Sequence, residues 1–493
     1  MSYYKSMSKY YLAFSVLFIL NLTIDSNAQP VNKGTRVAAE GSPNIVLFIA
    51  DDLAARDIGP YGNMIVRTPN LDRLSRNAMQ FSEAFASSPT CSPSRASIFT
   101  GMGPFRNGAH ANHMGVDAGV RTLPDYMQSM GYSAALAGKY HIGPEEAYPF
   151  ELIDNSNVPE PGHEGEGVLW TDLNMEPVDS WLRQASAEKK PFMLVVADHS
   201  PHVIWPEEPQ YDFSEVDIPS RHIDTEATRV SRSRYYTDIT KMDRNVGKLL
   251  ESLKNHDIAK NTVVIFTADQ GPQWAFGKWN LYDYGVRVPL MVRWPEKIEG
   301  GTETGALVSL VDLLPTVIEM AGGTAPRKPE DIDGKSFLPV LRGEKSRHRT
   351  KVYGSHTGDG TMNRSPMRMI RTKHYKYILN LAPEIPYHTH IDKAKDHDGG
   401  REYWDSWVEK SYRDEHAASV LWRYHNRPKE ELYDVQADPN ETRNLAEQPE
   451  YGNILKKFRN EMRQWRRQQG DHETGPYEPS ESDKKGSETP YIF

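Results

Sequence analysis

Four apolar runs in this chain each stop on charged or polar residues, and that pattern restricts the fold more than any other feature. Residues 44–50 end at Asp51 and Asp52, and 132–137 lead to Lys139 and His141. Residues 192–197 end at Asp198 and His199, with His202 close behind, and 262–268 end at Asp269 and Gln270. A continuous apolar run marks a strand buried on both faces of a parallel sheet. Helices are predicted over 123–130, around 312–321, and over 234–253, where Ile239, Met242, Val246, Leu249, Leu250 and Leu253 fall at helical spacing. The alternation predicts an α/β fold with a large, mostly parallel sheet flanked by helices. Ligands of such sheets bind in the crevice beyond the carboxyl ends of the strands. Packing alone does not require four strand ends of this kind, so the crevice is the predicted site.

From about residue 350 the pattern changes. Residues 351–354, 367–371 and 375–379 alternate like antiparallel strands, and 431–434 lead to a helix over 451–468. The expectation is a smaller C-terminal subdomain of antiparallel sheet plus helix, over residues 351–493, after a catalytic domain over 29–350. A chain of 493 residues is long enough for one large core and a second, smaller one. Residues 387–418 read as a long polar insert, solvated, whose Tyr403, Trp404 and Trp407 could stack on a sugar. The tail from Gly475 reads as disordered.

Residues 1–28 have the layout of a cleaved signal peptide: Lys5 and Lys9, an apolar core over 11–20, then Ser26-Asn27-Ala28. The apolar run breaks at Asn21 and is too short for a membrane anchor. The expectation is an exported protein, periplasmic in a bacterium, with a mature chain beginning near Gln29. A formal charge of −9 argues against nucleic acid as partner. An anionic substrate must therefore be held by local cations.

Cys91 is the only cysteine, which excludes an internal disulfide and any multi-cysteine metal site. Pro93 suits the first turn of a helix running through Phe99 and ending at Thr100-Gly101. Cys91 then lies at the helix N-terminus, where free N–H groups and the macrodipole favour an anion. Asp51, Asp52, Asp269 and Gln270 are hard oxygen donors on neighbouring strand ends, a set suited to Ca²⁺ or Mg²⁺ rather than a soft metal.

The string Cys91-Ser92-Pro93-Ser94-Arg95, with Thr100-Gly101 downstream, resembles the signature of the type I sulfatases, members of the alkaline phosphatase superfamily. The resemblance covers nearly the whole mature chain. The segments Gly138 to Glu145, Trp279 to Tyr282, Tyr353 to Ser355 and Leu432 to Thr442 also carry it, the first three being similar to N-sulfoglucosamine sulfohydrolases. It implies that Cys91 is oxidised by a maturation enzyme to formylglycine (3-oxoalanine), whose hydrate is the nucleophile. It implies Ca²⁺, in preference to Mg²⁺, held by Asp51, Asp52, Asp269, Gln270 and the residue at 91 itself, Cys91 in the sequence; Gln270 departs from the family's usual Asn or His. By the same resemblance Arg95 and Lys139 hold the hydrate, and Lys278 and His199 contact the sulfate. Asp269 accepts the first proton, His199 protonates the leaving group, and His141 assists sulfate release. His202, His356, Arg364 and Arg368 are further candidates for holding an anionic sugar.

The function implied is hydrolysis of sulfate esters on a sulfated polysaccharide, with a lean toward an algal polymer such as ulvan. Two alternatives share the same core site: an N-sulfoglucosamine sulfamidase, and a phosphatase or phosphonate hydrolase. A non-catalytic sugar-binding relative would be expected to lack Cys91, Arg95 or a metal carboxylate, and all are present.

Overall fold

Strands written as unbroken Val, Ile, Leu and Phe runs can only lie inside a sheet covered on both faces, and that is where they are found. A computed structural model describes residues 41–326, 331–359, 363–393, 401–474 and 477. The expected signal peptide lies outside the described residues, as does the tail from Gly475 apart from Tyr477.

Eight strands form the main sheet: β1 (Asn44–Ala50), β2 (Met79–Phe81), β3 (Ser133–Gly138), β4 (Glu151–Leu152), β5 (Phe192–Ala197), β6 (Thr262–Ala268), β7 (Leu290–Arg293) and β8 (Thr302–Thr304). Their spatial order is β8-β2-β7-β6-β1-β5-β3-β4. Only β7 runs against its neighbours. Every residue of β1, β5 and β6 is buried. The register decides the site: Ala50 lies opposite Ala268, Ile49 opposite Ala197, and Ala197 opposite Gly138. The chain therefore leaves all four strands at one level, and Asp51, Lys139, Asp198 and Asp269 share one edge.

The helix predicted over 234–253 extends over Glu226–Asn255. Its start is set by Thr225, whose side chain accepts from Thr228 N, a cap that the polar first turns hide from periodicity. β7 begins at Leu290, just after Pro289, which has no N–H to donate.

A second sheet of four antiparallel strands follows: β9 (Lys351–His356), β10 (Met367–Thr372), β11 (Tyr375–Asn380) and β12 (Glu430–Asp434), in that spatial order. The Gly452–Gln469 helix packs on it through Trp465 stacked on Tyr353 at 5.0 Å and Phe458 on Tyr377 at 5.9 Å. Among the described residues, no helix is long and apolar enough to cross a membrane.

Residues 387–418 correct the sequence expectation. They form helices over His390–Lys393, Arg401–Ser411 and, continuing past the segment, Glu415–His425. Tyr403, Trp404 and Trp407 are fully buried, so none is available to a sugar. Trp407 Nε1 donates to Thr228 Oγ1 at 2.7 Å, and Tyr403 stacks on Trp274 at 4.6 Å. Positions 403, 404 and 407 are the i, i+1, i+4 spacing of one helix face, which the charged residues around them obscured. Trp407→Ala is expected to cost about 3–5 kcal/mol of stability, read as a lower denaturation midpoint. An unchanged midpoint with a raised KM would instead mean that the ring meets the substrate.

Candidate active site

The helix that carries Cys91 begins at Cys91 itself, two residues earlier than Pro93 suggests, and runs to Thr100. Thr90 is its extended N-cap but makes no side-chain capping bond, and Gly101 ends it with left-handed backbone. Cys91 is buried, with Sγ 3.1 Å from Gln270 Nε2, 3.9 Å from Lys139 Nζ and 4.0 Å from Asp52 Oδ1. Burial pushes its thiol up to about 12. An unmodified Cys91 is therefore a protonated thiol at neutral pH and a poor nucleophile.

Asp51, Asp52 and Asp269 are fully buried, and their carboxylates offer oxygens within 4.8 Å of one another. Asp52 has left-handed backbone (φ 66°), which turns its N–H toward Asp269 Oδ1 at 3.1 Å. Gln270 N donates to the same oxygen at 2.9 Å. Burial and then the Asp51 charge raise Asp269 above the usual carboxylate range. Burial acts on Asp51 too, but Lys139, His202 and Arg95 together hold it well below that range.

Each carboxylate already has an organic cation. Arg95 Nε donates to Asp269 Oδ2 at 2.9 Å and its Nη2 to Asp51 Oδ1 at 3.3 Å. Lys139 Nζ bonds Asp51 Oδ2, and Lys278 Nζ donates to Asp52 Oδ2 at 2.8 Å. Three carboxylates and three cations balance, so a divalent ion would leave the site positive and able to attract an anion. The donor set fits a hard cation by a second criterion: Gln270 Oε1 is buried with no hydrogen-bond partner among the described residues. An orphaned carbonyl oxygen beside three carboxylates is the arrangement that Ca²⁺ or Mg²⁺ would complete.

Above this cluster lies a cleft of about 590 Å³, lined in part by Cys91, Lys139, His141, His199, His202 and Lys278. Nearly all the sequence-predicted site residues thus meet in one place. His199 Nε2 is 2.7 Å from Asn157 Oδ1, and burial, reinforced by the Lys139 charge, pushes its imidazole down to about 3. His141 Nε2 is 3.0 Å from His113 Nδ1, and burial next to Lys139 pushes it down to about 2. Both imidazoles are neutral in the free protein. His202 Nε2 lies 3.7 Å from Asp52 Oδ2.

Three predicted sugar-binding residues are placed elsewhere. Arg368 is fully buried and tied to Asp471 at 2.7 Å, to Glu473 and to the carbonyl of His356 at 2.8 Å. His356 is buried on β9, its Nε2 3.1 Å from Asn363 O. Both serve the C-terminal sheet and its neighbours, and neither lines the cleft. Arg364 is exposed and also lies outside the cleft lining.

The cleft adds residues that sequence reasoning missed. Asp359 accepts from His113 Nε2 at 3.1 Å, Trp279 Nε1 at 2.8 Å and Asn112 Nδ2 at 2.8 Å. An Asp359–His113–His141 chain therefore backs one wall. Trp279 stacks on His390 at 4.9 Å. Asn112 and His113 lie in a loop with no periodicity and Asn157 opens a three-residue strand too short to show one, so only tertiary structure brings them in.

A family model described as sulfatase matches residues 43–323, and one described as N-sulphoglucosamine sulphohydrolase, C-terminal, matches 271–412. An ulvan-active sulfatase of Formosa agariphila is 32% identical over 458 residues, covering 91% of this chain and 84% of that protein. The N-sulphoglucosamine sulphohydrolase of Homo sapiens is 30% identical over 471 residues, covering 86% and 89%. Among solved structures, BT4656 in complex with its substrate D-glucosamine-2-N,6-O-disulfate superposes with a TM-score of 0.65 at 20% identity, covering 89% of this chain and all of that one. BT1596, a 2-O GAG sulfatase, gives 0.63 at 21%, covering 91% and 98%. At those identities the likeness to solved structures is one of fold.

Proposed function

The chain belongs to the sulfatase family, and on that premise we propose that it hydrolyses sulfate groups on a sulfated carbohydrate, with Cys91 as the precursor of its nucleophile. The observation that carries this reading is the setting of Cys91: one buried sulfur at a helix N-terminus, between oxygen donors for a hard cation and the ammonium of Lys139. Oxidation to formylglycine by a maturation enzyme supplies a hydrated aldehyde, whose second hydroxyl permits sulfate to be expelled. Ca²⁺ on Asp51, Asp52, Asp269 and Gln270 supplies Lewis-acid charge next to residue 91.

The protein's own groups then have separable tasks. Arg95 is fixed by two carboxylates and, with Lys139 and Lys278, presents cationic N–H donors to the sulfuryl oxygens, where charge is redistributed in the transition state. His199 is neutral until an anion arrives. The negative charge of a bound sulfate ester opposes the shift caused by burial and favours the imidazolium, which can protonate the leaving oxygen or nitrogen. His141, also neutral, can accept a proton and is backed by His113 and Asp359. In this reading residues 1–28 direct export to a periplasm, residues 29–350 form the catalytic part and 351–493 a C-terminal subdomain.

For the substrate we favour a sulfated algal polysaccharide such as ulvan, on the strength of the ulvan-active relative. N-sulfoglucosamine is the second reading, favoured by the family model over residues 271–412. Sulfate release from ulvan oligosaccharides, from N-sulfoglucosamine and from an aryl sulfate beside an aryl phosphate separates the cases. Release from ulvan oligosaccharides and the aryl sulfate is expected. Release from the amino sugar alone would overturn the ulvan preference, and preference for the aryl phosphate would overturn the sulfatase reading.

A further inference from the structure

A second cavity, of about 550 Å³, opens beside the loop that follows Asp52 and shares no lining residue with the catalytic cleft. Its volume is within the range of about 300–1,000 Å³ typical of ligand sites. Three guanidinium groups line it: Arg287 donates to the Ser82 carbonyl at 2.9 Å and lies 3.5 Å from Glu83, and the other two are Arg221 and Arg56. Arg221 donates from Nε to the Asn440 carbonyl at 2.6 Å and is held flat over the Tyr282 ring, 4.0 Å from its centroid. Arg56 is exposed and donates from Nη1 to Asn440 Oδ1 at 3.2 Å. Among the described residues, the acceptors these two find are neutral, and neither forms an ion pair.

The acidic residues lining the same cavity are already engaged. Asp283 is bonded by Arg371 at 3.2 Å and by Lys376 at 2.5 Å. Glu441 is bonded by Lys376 at 2.9 Å, and Asp217 lies 3.5 Å from Arg232 Nη2. Among the described residues, Arg56 and Arg221 are thus the lining cations with no carboxylate at ion-pair distance, and the charges of Asp217 and Glu441 act on them from further off. His222, 3% exposed, also lines the cavity; its Nε2 is 3.0 Å from Ala275 O, while its Nδ1 is buried with no partner among the described residues. The half-buried ring of Tyr284, with its centroid 5.8 Å from Arg56 Cζ, adds an aromatic surface.

Guanidinium donors for acidic groups beside an aromatic face together describe a site for an anionic sugar. Resting on the sulfatase reading above, we propose that this cavity is an accessory site that holds a sulfated saccharide unit of the polymer while another unit occupies the catalytic cleft. It retains substrate and takes no part in bond cleavage.

The test compares kinetics on ulvan and on an aryl sulfate too small to reach both places. Arg56→Glu and Arg221→Gln should each raise KM for ulvan about ten-fold, the size of a lost charge-assisted hydrogen bond. Turnover of the aryl sulfate should stay within about two-fold. Arg56 is exposed, so its variant remains informative even if Arg221→Gln disturbs packing. Titration of ulvan oligosaccharides into the Cys91→Ala protein should show a second binding event that Arg56→Glu removes and inorganic sulfate does not reproduce. An ulvan KM untouched by both variants would overturn the proposal, as would a parallel fall on both substrates. Equal occupancy by inorganic sulfate would overturn the saccharide assignment. Absence of turnover in the unaltered enzyme on every sulfated substrate would instead sink the sulfatase reading itself.

Discussion

Cys91→Ala is expected to abolish sulfate release, by about 10⁴–10⁶-fold, the loss that follows removal of a covalent nucleophile. The fold should survive. Residue 91 is the first residue of its helix, alanine is the best helix former, and no backbone hydrogen bond of the Cys91–Thr100 helix depends on the sulfur. The cations around it also have other partners: Lys139 keeps Asp51 and Lys278 keeps Asp52. A preparation free of wild-type enzyme, with a native denaturation profile and no sulfate release, is the expected result. Retained activity in that preparation would remove Cys91 from the chemistry.

Thorough chelation should lower activity by orders of magnitude and Ca²⁺ should restore it. An ion bound to the folded state alone stabilises by mass action, about 4 kcal/mol at a thousand times its dissociation constant. Stripping it should therefore also lower the denaturation midpoint. Chelation is a cleaner test than Asp51→Ala, because that variant removes a buried partner of Arg95 and Lys139. Breaking a buried pair costs about 3–5 kcal/mol whatever the metal does. Normal turnover and an unchanged midpoint in a metal-free sample would mean that the oxygen cluster holds no catalytic ion.

The strand ends of the candidate site were legible because buried parallel strands are written as apolar runs, and their charged terminations stand out against them. The register that levels Ala50, Gly138, Ala197 and Ala268 was not legible, since it depends on pairing between distant segments. Arg368 shows the opposite failure. On β10 it reads as a cation free for a ligand, but its partners Asp471 and Glu473 come about a hundred residues later in the chain and neutralise it. Asn112, His113 and Asp359 were missed because loop residues carry no period, and their hydrogen bonds join segments far apart in sequence. The buried aromatics of the Arg401–Ser411 helix did carry a helical period, in a segment too polar around them to draw attention.

The central claim is that Cys91 is the precursor of the nucleophile and not the nucleophile itself, a reading that agrees with the upward push of burial on its thiol. Mass spectrometry of the peptide containing Cys91, from active enzyme made alongside a maturation enzyme, tests this most directly. The expected peptide carries an aldehyde in place of the thiol and forms an adduct with a hydrazine reagent, in a fraction that scales with specific activity. A fully active preparation in which residue 91 is an intact cysteine would contradict the account.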